Sequence, residues 1–193
     1  DFSNKIPIRT YEEFSVFIKQ IRKGKENVLW PSQITLFAKS SGTTGARSKF
    51  IPITRESLKN NHFKAGKDML SLYENNFNCL SVYKGKGLML GGSIKKSNTQ
   101  MYTDGDLSAI LLSEFPLWVN YHRVPDLNTA LMSDWEKKLT RIAKQAIKAN
   151  ITNITGVPSW MLILLKRILK ISGKKDITQV WPNLELYMHG GVN

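Results

Sequence analysis

Ile151-Thr152-Asn153-Ile154-Thr155-Gly156-Val157-Pro158-Ser159-Trp160-Met161 is the stretch on which the fold turns. Ile151 to Val157 reads as a strand, and Pro158 stands where the first turn of a helix tolerates a missing N–H. The helix it opens is apolar almost all round and stops at Gly173. Downstream, Leu184, Leu186 and Met188 alternate with polar neighbours as a last strand, which ends in His189, Gly190 and Gly191. Upstream, Ser133 and Glu136 form a capping box for a helix whose Trp135, Leu139, Ile142, Ala143, Ala146 and Ile147 share one face, with its lysines and Arg141 on the other. Strand and helix in alternation predict parallel pairing with right-handed crossovers. The fold class is therefore α/β, a mainly parallel sheet flanked by helices.

The first half carries the same alternation. Thr10 and Glu13 make a capping box, and Phe14, Phe17, Ile18 and Ile21 follow at helical spacing until Gly24. Ile34 to Ala38 and Phe50 to Ile53 read as short strands. Thr54 caps a helix with Leu58, His62, Ala65, Met69 and Leu72 on one stripe, where His62 is a core-edge residue. Leu88 to Leu90 reads as a strand running into Gly91 and Gly92, and the polar stretch from Ser93 to Asp106 as a long loop.

Composition excludes several classes. With 193 residues, 41% of them apolar, the chain can build a real core. The longest apolar run, Trp160 to Leu165, falls far short of the roughly 20 residues that span a bilayer and is followed by Lys166 and Arg167, so no membrane partner is expected. The lone Cys79 can form no internal disulfide, which fits a cytoplasmic location. The three histidines, His62, His122 and His189, lack partners at metal-ligand spacing, so no metal-binding residue is assigned. The net charge of +13 raises the question of nucleic acid. The lysines are spread over many segments as solvated helix faces instead of forming a block, and no specific nucleic-acid partner is expected.

One loop carries the chemistry. Ser40-Ser41-Gly42-Thr43-Thr44-Gly45-Ala46-Arg47-Ser48-Lys49 lies between two predicted strands and packs hydroxyls, glycines and a lysine into ten residues. Such a loop can cradle phosphate: glycines free the backbone to present its N–H groups, hydroxyls donate further bonds, and the lysine supplies charge. On composition alone it is equally an ordinary Ser/Gly-rich turn. It is not a Walker loop, because Gly45 and Lys49 are separated by three residues, and it carries no dinucleotide fingerprint.

Ser41-Gly42-Thr43-Thr44-Gly45 resembles the phosphate-loop signature of the acyl-adenylate-forming superfamily. With Lys49 four positions after Gly45 and Ser40 doubling the leading serine, the loop is similar to that of the auxin-responsive (Gretchen Hagen) acyl-acid amido synthetase family. Ala46 stands where the plant members carry their second glycine, so plant substrates do not transfer. Ile8-Arg9-Thr10-Tyr11-Glu12, Lys49-Phe50-Ile51-Pro52, Gly105-Asp106-Leu107-Ser108, Asp134-Trp135-Glu136-Lys137-Lys138-Leu139 and Gly156-Val157-Pro158-Ser159-Trp160 resemble further stations of the bacterial branch, in the same order.

That resemblance implies an ATP- and Mg²⁺-dependent ligase that adenylates a carboxylic acid and passes the acyl group to an amine or amino acid. Ser40, Ser41, Gly42, Thr43, Thr44, Gly45 and Lys49 would hold the phosphates, with Lys49 the catalytic charge. Gly190 and Gly191 would lie beside the adenine, although a plain β-turn fits them equally. Val157, Pro158, Ser159 and Trp160 would sit by the acyl pocket, where Trp160 is either core or ligand wall. The family's metal-serving glutamate, ribose-binding aspartate and mobile carboxy-terminal domain would come after Asn193. By this resemblance residues 1–193 form a partial amino-terminal domain, inactive alone, of the enzyme's large domain. Two other classes stay open: a regulatory nucleotide-binding domain that does no chemistry, and a basic nucleic-acid-binding module.

Overall fold

A computed structural model describes residues 5–40, 48–77, 81–96 and 101–190. The helix α1, Tyr11–Arg22, starts as its capping box dictates, with Thr10 N–H donating to Glu13 Oε2 at 2.6 Å. It buries Ile18 and Ile21 against Ile34 and Phe37, while Phe14 and Phe17 stay partly outside. Strand β1, Leu36–Lys39, then pairs antiparallel with β2, Phe50–Ile53, so the segment 40–49 is the connection of a hairpin.

Beyond β2 the helical stripe departs from expectation. Helix α2, Arg55–Ser57, capped by Thr54, runs through a π-helical segment, Leu58–Phe63, into α3, Lys64–Phe77. A π turn takes up an extra residue and rotates every later side chain to a new face. The inward face accordingly passes from Leu58 to Phe63, Gly66, Leu70 and Tyr73, leaving Ala65, Met69 and Leu72 exposed. His62 is half-buried.

Strand β3 is Lys86–Met89. Within the expected loop from Ser93 to Asp106, the chain forms two strands, β4, Ile94–Lys96, and β5, Thr103–Gly105, paired antiparallel. They join the hairpin in a mixed sheet of order β2-β1-β5-β4, whose β1 and β5 run parallel. Helix α4, Leu107–Glu114, buries Ala109, Ile110 and Leu112, with Ile110 packed against Ala38, Ile53 and Leu58.

The second sheet is the one read from Ile151 onward. Helix α5, Leu117–Tyr121, leads to β6, Arg123–Val124; α6, Leu127–Ala130, and α7, Trp135–Ile147, lead to β7, Ile151–Thr155. Helix α8, Pro158–Ser172, then returns to β8, Leu186–Met188. The order is β6-β3-β7-β8 and every pairing is parallel. Leu139, Ile142, Ala143 and Ala146 of α7 and Met161, Leu164 and Ile168 of α8 form one core with Leu88, Ile151 and Ile154. Each of the fully buried leucine, isoleucine and methionine side chains contributes about 1.5–3 kcal/mol. Trp181 closes the layer, its indole N–H donating to Ala146 O at 2.9 Å. Gly173 ends α8 at φ +69, a left-handed cap that glycine adopts without strain.

Two local expectations shift. The cap of α7 is Asp134, whose carboxylate accepts from Lys137 N–H at 3.0 Å, one residue beyond Ser133. One lysine of α7 is also not on its solvent face, for Lys138 is only 1% exposed.

Candidate functional site

Three strands of the parallel sheet deliver their carboxyl ends side by side, the position where open parallel sheets gather ligands. Leu90 N–H, just past β3, donates to Thr155 O at 2.9 Å. Gly156 N–H, just past β7, donates to Met188 O at 3.2 Å, and Tyr187 Oη donates to Gly156 O at 3.1 Å. The Val157–Trp160 segment and Gly190 therefore lie on one edge of one sheet. Val157, Pro158 and Trp160 are half-buried, and Ser159 is exposed.

The hairpin connection in the other sheet is described only at its stem. Ser41, Gly42, Thr43, Thr44 and Gly45 lie outside the described residues, as does Gly191. At the stem, Ser40 N–H donates to Lys49 O at 2.9 Å, and Lys49 N–H donates to Ser40 Oγ at 3.0 Å. This reciprocal pair closes the base of the loop. Lys49 turns its ammonium toward α1, 3.6 Å from Glu12 Oε1 and 5.1 Å above the Tyr11 ring. Tyr11 in turn bolts α1 to β2, accepting from Phe50 N–H at 2.8 Å.

Between Gly92, Ser93 and Asp106 on one side and α7 and α8 on the other lies a cavity of about 290 Å³. Trp135 and Trp160 meet edge-on on one side, ring centroids 5.2 Å apart, and Met132 and Ile163 add apolar wall. Its polar lining is Ser93, Asp106, Ser133 and Lys138. Trp160 is thus both partly packed and a wall of the cavity. Lys138 donates from Nζ to Gly91 O at 2.7 Å and Gly92 O at 2.6 Å. Burial pushes this lysine down to about 8, against the attraction of Asp106, which pulls the other way. Asp106 accepts from Ser93 N–H at 2.9 Å, and a Cβ on Gly92 would collide with its carboxylate.

Chemically the cavity can hold a small molecule that is apolar at one end and polar at the other. Among the described residues no group of three or more His, Cys, Asp or Glu stands close enough to hold a metal ion. Lys138 was the residue that sequence reasoning missed. A signal was present, since Lys138 lies three residues after Trp135 and four before Ile142, inside the apolar stripe.

An α/β chain with a parallel sheet of this order shares its fold with solved acyl acid amido synthetases. AtGH3.15 acyl acid amido synthetase in complex with 2,4-DB superposes with a TM-score of 0.71 over 96% of this chain, at 15% identity. A second structure, GH3.15 acyl acid amido synthetase, gives 0.64 over 86% at 19% identity. The GH3 family N-terminal domain profile matches residues 1–193, and the chain belongs to that family. Indole-3-acetic acid-amido synthetase GH3.17 of Arabidopsis thaliana is 35% identical over 63 residues, 32% of this chain. The matches span 10% of that relative and 41% and 29% of the two solved chains.

Proposed function

We propose that this domain serves the adenylation step of an acid-amido synthetase, in which a carboxylate attacks the α-phosphate of ATP, pyrophosphate leaves, and the acyl group passes to an amine or amino acid. The observation that carries the reading is the hairpin 40–49, with its Ser/Thr/Gly-rich sequence and its stem closed by Ser40 and Lys49. In this reading Ser40, Ser41, Thr43 and Thr44 donate to phosphate oxygens, Gly42 and Gly45 let the backbone approach, and Lys49 stabilises charge developing on them. Lys49 is available for this, because its pairing with Glu12 is long and solvent-exposed, and such pairs contribute about 0–1 kcal/mol.

The acyl group is assigned to the cavity beside Trp160, reached from Val157, Pro158 and Ser159, and the adenine to the Gly190–Gly191 turn at the end of β8. Mg²⁺ would neutralise phosphate charge when bound; among the described residues no group of three or more His, Cys, Asp or Glu stands ready to hold it. The reading also takes residues 1–193 as part of a larger catalytic domain of a cytoplasmic enzyme of the family's bacterial branch. The acid and amine of the plant relatives are not carried over to it, since Ala46 departs from their loop.

The test is carboxylic-acid-dependent exchange of labelled pyrophosphate into ATP by the protein as its gene encodes it, over a panel of aryl and aliphatic acids. Lys49→Ala is expected to slow exchange by about 10²- to 10³-fold, the usual cost of removing one donor from developing charge. No exchange with any acid would refute the adenylation reading, and unchanged exchange in the variant would remove Lys49 from the step.

A further inference from the structure

Among the described residues the chain crosses between the two sheets three times. It crosses through α2 and α3 between β2 and β3, through residues 90–93 between β3 and β4, and through α4 and α5 between β5 and β6. The second passage is the short one. Extended backbone spans at most about 3.5 Å per residue, so four residues hold the sheets at a near-fixed separation where the helical passages leave slack.

This passage is gripped from both sides. On the mixed-sheet side, Gly92 N–H donates to Ser108 Oγ at 3.0 Å, Ser93 N–H to Asp106 Oδ2 at 2.9 Å, and Asp106 N–H back to Ser93 O at 3.1 Å. On the parallel-sheet side, Leu90 N–H is bonded to Thr155 O, and the carbonyls of Gly91 and Gly92 both accept from the buried Lys138 ammonium. A Cβ at Gly91 would stand 2.8 Å from Leu112 Cδ1, so the passage lies flush on α4. A charged group is a costly choice for an interior position that packing alone would fill with Leu or Met. Both of its bonds go to the backbone of one short segment.

We propose that Lys138 is a positioning residue that locks the 90–93 passage and thereby sets the hairpin stem, Ser40 and Lys49, against the strand ends carrying Val157–Trp160 and Gly190. The inference rests on the function proposed above for what is positioned, but its geometry can be tested separately. Fixing two reacting partners in register is a large part of such catalysis, and a displacement of about 1 Å can cost on the order of 10²-fold in rate.

The experiment has two arms, run on wild type, Lys138→Met and Lys138→Arg. In the first, spin labels at Ile51 on the mixed sheet and Leu162 on α8, both exposed, report the distance between the sheets in a Cys79→Ser background. Wild type should give one narrow distribution, Lys138→Met a broadened or shifted one, and Lys138→Arg, which keeps donors and charge, a return toward wild type. In the second, the gene-encoded protein is assayed for acid-dependent pyrophosphate exchange and for ATP affinity. Lys138→Met should lose exchange on the order of 10²-fold while its ATP dissociation constant moves less than about threefold. An unchanged distance distribution in a folded Lys138→Met overturns the proposal, as does equal loss of ATP binding and exchange in both variants. Absence of exchange in wild type would instead refute the adenylation reading and leave the distance arm to decide Lys138.

Discussion

Replacing Lys138 by Met should change stability in a way that depends on pH with a definite sign. Burial lowers this lysine from 10.5 in an unfolded chain to about 8 in the folded one. Between those values the unfolded state binds more protons, so stability should rise with pH across the window, the opposite of a lysine that gains a partner. At about 1.4 kcal/mol per pH unit, complete desolvation corresponds to about 3 kcal/mol, and roughly half that once water entering from the adjoining cavity is allowed for. Below pH 8 the variant escapes this penalty but leaves the buried Gly91 and Gly92 carbonyls without their donor, at about 1–3 kcal/mol each. The two effects oppose each other near neutral pH, where the lead of the wild type should be at most about 4 kcal/mol. By pH 10 the wild type has shed its penalty, and its lead over the variant should have grown by about 1.5–3 kcal/mol. Urea denaturation at pH 7, 8.5 and 10 measures the difference directly, and the titrations of other tyrosines and lysines cancel between the two proteins. A difference that stays flat, or shrinks as pH rises, would show that Lys138 is not a buried ammonium.

The remaining expectations are simpler. Leu164→Ala removes a fully buried side chain from the core of α7, α8 and the parallel sheet and should cost about 2–5 kcal/mol of unfolding free energy, measured by urea denaturation. Gly173→Ala meets no neighbouring atom, so its cost of about 1 kcal/mol should be purely that of a left-handed backbone, readable as a small drop in Tm. Binding to DNA of mixed sequence should be non-specific and fall steeply between low and moderate salt; affinity that stays tight there would reassign the +13 charge to a nucleic-acid function.

The elements legible from sequence are those whose signals are local. The capping box at Thr10 and the Pro158 start and Gly173 stop of α8 each rest on contacts within a few residues. The parallel order of β3, β7 and β8 followed from alternation, because a crossover helix leaves little other choice. Strands β4 and β5 were hidden because three residues such as Thr103-Asp104-Gly105 have weak strand preference alone and are extended by their neighbours. The rotated stripe of α3 was hidden because a π turn has no composition of its own. Lys138 was misread for a different reason: lysine is almost never fully buried, and the rule that places it on the solvent face prevails until a partner, here two backbone carbonyls, is known.

The placement of Lys49 bears on how the hairpin would meet a phosphate. Its backbone closes the stem with Ser40, so the point from which the side chain springs is fixed by β1 and β2 and not by the loop between them. Among the described residues the side chain is tethered by an exposed carboxylate at 3.6 Å and a tyrosine ring, both on α1. A rigid root with a weakly held tip suits a charge that must turn to an incoming anion, because little has to be broken and the search is limited to one side chain. Glu12 then acts as a holding partner. Replacing it by Gln should leave the fold intact, since an exposed pair contributes almost nothing to stability, and should tighten ATP by removing a competing carboxylate. Isothermal titration of Glu12→Gln against wild type reads the change, expected at about two- to fivefold for a pair of roughly 0.5–1 kcal/mol. Weaker ATP binding in the variant would mean that Glu12 takes part in the site, and an unchanged affinity would mean that Glu12 does not hold Lys49 back from the phosphates.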